Sequence, residues 1–115
     1  MFTAAHGAVC AALLPHVMAV NLRALKQREP QSDALRRYDE IARILTGHAG
    51  AAAADGVTWV HELARALRIP PLASYGVTPQ DADALVEKAS AASSMRGNPI
   101  KLTPDEIKEI LLQTL

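Results

Sequence analysis

The chain has 115 residues, of which 50% are hydrophobic, and its twelve basic and twelve acidic side chains cancel. That length suits one ordinary domain and is too short for a dinucleotide-binding domain plus a separate substrate domain. The charge balance leaves no electrostatic footprint for nucleic acid or an anionic membrane surface. Its single cysteine, Cys10, forms no internal disulfide, and MFTAAHGAVCAALL has no positively charged leader, so a reducing, cytoplasmic setting is expected.

Only Phe2, Tyr38, Trp59 and Tyr75 are aromatic, alanine is abundant and β-branched residues are sparse. This disfavours a sheet and predicts an all-α fold, a single helical domain over residues 1–115. The first segment, about Gly7 to Leu25, is apolar nearly all round, as a central helix should be, and Pro15 is expected to kink or split it. Its apolar part, Ala8 to Val20, is too short to cross a bilayer. After the charged loop KQREPQS, Leu35, Tyr38, Ile41, Ala42 and Leu45 recur at helical spacing, giving a second helix that ends near Gly47. GHAGAAAADG reads as a loop or a loose helical start.

A third helix is predicted from about Val57 to Leu67, with Val60, Leu63, Ala64 and Leu67 on one stripe. Pro70 and Pro71 stop it, and IPPLASYG is expected to run extended. TPQD and TPDE then open two helices: Thr78 and Thr103 cap, Pro79 and Pro104 suit the first helical position, and Glu106 completes a capping box. The first of these carries Leu85, Val86, Ala89 and Ala92, the last Ile107, Ile110, Leu111 and Leu115. SSMRGNPIKL between them reads as a structured turn, with Asn98 held extended before Pro99.

Chemistry-bearing residues are few. His6, His16, His48 and His61 make no i, i+4 pair with one another, and there is no HExxH, CxxC, GxGxxG or P-loop. His6, just ahead of the first helix, is the one metal-ligand candidate. Cys10 is expected to pack as a small buried residue, His16 to hydrogen-bond near the Pro15 kink, and His61 to be partly exposed beside Trp59.

The order of four segments is more specific than any of these residues. HGAVCAALLPHVMAVN (6–21), RYDEIARIL (37–45), DGVTWVHELARALRIPPLASYGVT (55–78) and ASSMRGNPIKLTPDEIKEILLQTL (92–115) together resemble the C-terminal helical part of the iron-containing, metal-dependent alcohol dehydrogenases. Members of that family have an NAD(P)-binding α/β domain followed by a helical domain that holds iron, or sometimes zinc, through an aspartate and three histidines. The resemblance implies that His6, in the histidine-glycine motif, is the last of those histidines. The remaining ligands and the glycine-rich nucleotide segment would lie upstream, and only five residues precede His6 here. Two positions depart from the family pattern: Ala5 stands where proline is common and Cys10 where asparagine is common.

A single imidazole does not hold iron tightly, so this chain alone is expected to bind neither metal nor NAD(P) and to lack dehydrogenase activity. The resemblance implies a metal-dependent, NAD(P)-linked dehydrogenase completed by a separate nucleotide-binding half. The alternative is a non-catalytic helical module that self-associates as a homo-oligomer.

Overall fold

The computed structural model describes residues 6–91 and 97–115, with His6 described by its backbone alone. Among these residues all regular structure is helical: α1 (His6–Arg28), α2 (Asp33–Thr46), α3 (Ala53–Ala66), α4 (Ala82–Ala91) and α5 (Pro104–Leu112), with 3-10 turns at Leu72–Tyr75 and Pro79–Asp81. The expected all-α class is what the chain adopts.

α1 is apolar all round because it is packed on two sides. Val20, Ala24 and Leu25 join Leu72, Val77, Val86, Ile100, Leu102, Ile107, Ile110 and Leu111 in the main core. Met18 and Leu22 face the other way, onto Ala53 and Val57 of α3. The expected split at Pro15 does not occur. The helix runs through it for 23 residues, because losing one backbone donor costs less than the burial that α1 gains on both sides. Residues Gly7–Arg28 are in fact long and apolar enough to span a membrane, with mean hydropathy 1.6, so the length argument against a span does not hold. The helix instead forms the centre of this fold, with Ala24 and Leu25 wholly buried.

α2 starts and stops where local chemistry dictates. The Ser32 hydroxyl accepts from the Ala34 N–H at 3.2 Å, and Gly47 closes the helix in the left-handed region at φ 74°. α3 begins four residues before the expected Val57. The Ala53 N–H donates to the Asp39 carboxylate of α2 at 2.8 Å, and the Ala52 N–H to Asp55 at 2.9 Å. These two carboxylates satisfy donors that the alanine run itself cannot. α2 and α3 then pack closely where Gly56 meets Ala42, which is wholly buried.

α3 ends in a Schellman motif: the Ile69 N–H returns to Ala64 O at 3.0 Å and the Arg68 N–H to Arg65 O at 3.1 Å. Arg68 occupies the position usually given to glycine, at φ 55°. A side chain there costs ~1–2 kcal/mol, so Arg68→Gly is expected to stabilise the chain by roughly 1 kcal/mol after the flexibility of glycine is discounted. Urea denaturation of the two forms measures this directly. Past this point the chain is extended only briefly, and LASY forms a 3-10 turn closed by Gly76 at φ 89°, not the extended run expected of IPPLASYG.

Both TP starts lie where the sequence puts them. Asp81 accepts from the Thr78 N–H at 2.8 Å and hydroxyl at 3.1 Å, although the first turn is 3-10 and α4 proper begins at Ala82. Thr103 and Glu106 form the reciprocal box, at 3.2 and 2.8 Å. Val86 of α4 and Ile107, Ile110 and Leu111 of α5 are buried as expected, whereas Ala92 lies outside the described residues.

α1 is fastened to α5 by two forked ion pairs. The Arg28 guanidinium donates to both Glu106 oxygens at 2.9 and 3.0 Å and to Lys101 O at 2.9 Å, while Arg23 grips Glu109 at 2.7 and 2.8 Å. The hydrogen bonds from Arg28, aided by the Thr103 N–H, hold the Glu106 carboxyl below the usual glutamate range. A depressed folded-state pKa contributes stability that is complete above the ordinary glutamate value and is lost as pH falls through the lower one. Glu106→Gln is therefore expected to lower stability at neutral pH and to flatten its decline in that acid window. Urea midpoints measured at stepwise lower pH will reveal the flattening.

Candidate functional site

α1 carries three of the candidates. His6 is its first helical residue, and its side chain lies outside the described residues. Cys10 follows one turn later and is exposed, which overturns the expectation of buried packing: this face of α1 looks away from both core clusters. His16 sits about 15 Å farther along the helix from His6.

His16 does hydrogen-bond beside Pro15, but to a distant partner. Its Nδ1 lies 2.8 Å from Gln113 Oε1, just past α5. The Gln113 carbonyl can only accept, so Nδ1 carries the proton and Nε2 keeps a lone pair. Its ring centre is 5.0 Å from that of His61 on α3, edge to face at 79°. Burial holds the His16 imidazole below its ordinary pKa; the bond to Gln113 opposes this, and the charge of His61 adds to it. His16 is thus neutral at neutral pH. A cavity of about 150 Å³ opens beside the pair, bordered by Ala11, Pro15, Arg65 and Gln113.

The other candidates stay apart. His61 is exposed as expected, but sequence spacing gave no sign of its pairing with His16, because that pairing is made by helix packing across 45 residues. His48 is exposed at the end of α2, beside a separate shallow cleft that also includes Asp55, Trp59 and Glu62. Among the described residues, no three or more His, Cys, Asp or Glu side chains gather where they could hold a metal ion. The described residues therefore do not make up a metal site of the kind the resemblance implies.

The GNP turn does more than reverse the chain. Asn98 and Asn21 exchange side-chain hydrogen bonds at 2.8 and 2.9 Å, Asn98 also donates to Ile100 O at 2.6 Å, and Asn21 donates to the Tyr38 hydroxyl at 3.2 Å. Asn21 is only 2% exposed, so this network joins α1, α2 and the turn inside the fold.

Among the described residues a large apolar face is left exposed. Leu14, Met18, Tyr38, Ile41, Leu45 and Leu63 line a groove of about 580 Å³ between α1, α2 and α3. Ile41 and Leu63, expected on buried stripes, are 43% and 42% exposed, and Leu67 is 64% exposed.

Comparison with known proteins matches the whole chain to one family: residues 1–115 fit the profile of the Fe-containing alcohol dehydrogenase family, C-terminal. No curated protein matches. Among solved structures, a 1,3-propanediol oxidoreductase is 26% identical with a TM-score of 0.78, and the match covers 100% of this chain and 29% of that one. An iron-containing alcohol dehydrogenase from Thermococcus thioreducens is 32% identical with a TM-score of 0.73, covering 96% and 28%. The chain thus spans less than a third of the length of these structures.

Proposed function

Because the chain belongs to the iron-containing alcohol dehydrogenase family, as its C-terminal part, we propose that it contributes His6 to the metal centre of an NAD(P)-linked alcohol dehydrogenase and is inactive without the part that binds the nucleotide. The observation that supports this reading is the match of residues 1–115 to the family's C-terminal profile, together with the fold shared with two chains more than three times as long, a 1,3-propanediol oxidoreductase and an iron-containing alcohol dehydrogenase. In the assembled enzyme the aspartate and two further histidines would come from outside these 115 residues. Iron or zinc would there polarise the alcohol oxygen, with hydride passing to the nicotinamide.

This chain's own contribution is positional. α1, whose first residue is His6, is packed on two sides along its middle and joined to α5 by two ion pairs near its far end. The groove and the exposed Leu67 and Ile44 are apolar surface of the kind that an adjoining half of a catalytic domain covers. The same face supports the second reading, a non-catalytic module that self-associates, and metal content separates the two. Co-expression with the nucleotide-binding part of a family member is expected to give metal-bound complex and alcohol-dependent NAD(P) reduction, both abolished by His6→Ala. A metal-free homo-oligomer that ignores the added part would support the module.

A further inference from the structure

The His16 and His61 pair has no task in the dehydrogenase reading, and its geometry fits a different one. We propose that His16 and His61 form a two-imidazole site for a divalent transition-metal ion of the zinc type, bridging α1 and α3 at the mouth of the adjoining cavity. Two imidazoles bound to one tetrahedral zinc at ~2.0–2.1 Å hold their ring centres roughly 5 Å apart. Here the centres are 5.0 Å apart and the rings meet edge to face at 79°, so the exposed His61 ring must turn about its side-chain bonds to aim a nitrogen at the ion that His16 Nε2 holds.

Three features prepare the pair for a cation. Metal binding needs neutral imidazole, and His16 is kept neutral by burial. Gln113 accepts the Nδ1 proton at 2.8 Å, which orients the ring and leaves Nε2 as the ligating nitrogen, the usual outer-shell arrangement for a histidine ligand. The neighbouring cavity of about 150 Å³ has room for the waters that complete four-coordination. Arg65 also borders the cavity; it is exposed, and its charge is screened by solvent. The inference uses only residues of this chain, so it stands or falls independently of the dehydrogenase reading.

The test is zinc titration of the full chain followed by calorimetry and by thermal unfolding. A His6→Ala/Cys10→Ser background removes the donors at the start of α1. In this background one zinc should bind and raise the unfolding temperature. His61→Ala alters an exposed side chain, so its folding is not at risk; it should weaken binding tenfold or more and cancel the temperature rise. Gln113→Leu should weaken binding severalfold by releasing the His16 ring. Zinc stabilisation that survives His61→Ala undiminished would overturn the proposal. So would a background protein that responds to inorganic phosphate but not to zinc.

Discussion

Gly56→Leu is expected to destabilise the chain by about 3 kcal/mol, at the upper end of the usual cost of overpacking. A Cβ on Gly56 would lie 3.0 Å from Ala42 Cβ and 3.1 Å from Ala42 Cα. Neither atom can swing aside, since Ala42 is wholly buried in α2 and its Cα belongs to the helix backbone. Relief requires α3 to lift away from α2, which opens Val57 and Ala53 to water. Gly56→Ala sets the same contact against the ~1 kcal/mol of helix propensity that alanine gains over glycine, so it should be nearly neutral. Gly50→Ala is the control, because nothing lies within 4 Å of its Cβ position. Denaturant midpoints should rank the three variants with leucine far below the others. A leucine variant as stable as the parent would mean that α2 and α3 do not approach as described.

The second large effect belongs to Asn98. Asn98→Ala removes the donor to Asn21 Oδ1 and to Ile100 O together, leaving a buried amide oxygen without a partner. An orphaned buried group costs ~1–3 kcal/mol, and the two losses together put the expected cost at about 3 kcal/mol. For a domain of this size that is a fall of roughly 10 °C in Tm. Tyr38→Phe removes only one donor-acceptor pair, since Asn21 Nδ2 keeps its bond to Asn98, and should cost about 1 kcal/mol. Equal effects from the two variants, or an Asn98→Ala protein within ~0.5 kcal/mol of the parent, would remove the network from the account.

Neither effect could be read from the sequence, and the reason is the same for both. Gly56 lay in a low-complexity stretch and Asn98 in a turn whose local chemistry was already sufficient, yet each acts on a residue far along the chain. Signals carried by neighbouring residues hold in the structure: the TPDE cap, TPQD as a helix start although the Thr78 side chain does not cap it, the all-round apolar α1 as the central element, and Gly47 as a helix stop. The start of α3 at Ala53 is not legible locally, because the carboxylate that caps it, Asp39, belongs to another helix. Pro15 does not split α1, because local propensity says nothing of the burial that outweighs one lost backbone donor. Periodicity finds the stripes of Ile41 and Leu63, but it does not say that the described residues leave them exposed.

The site divides along the same line. His6 was singled out by a motif and its resemblance, which no residue spacing within the chain supplies. The pairing of His16 with His61, and the approach of Gln113 across 97 residues, are products of packing alone.

To work as one portion of a metal-dependent dehydrogenase, as proposed, this helical part must be found together with a nucleotide-binding part and a metal. Native mass spectrometry of the protein isolated from its own cells tests it most directly, because it reports polypeptide and metal together. The expected result is an assembly, or a longer polypeptide, that contains a nucleotide-binding part and one metal per catalytic unit. A metal-free homo-oligomer of these 115 residues would contradict it.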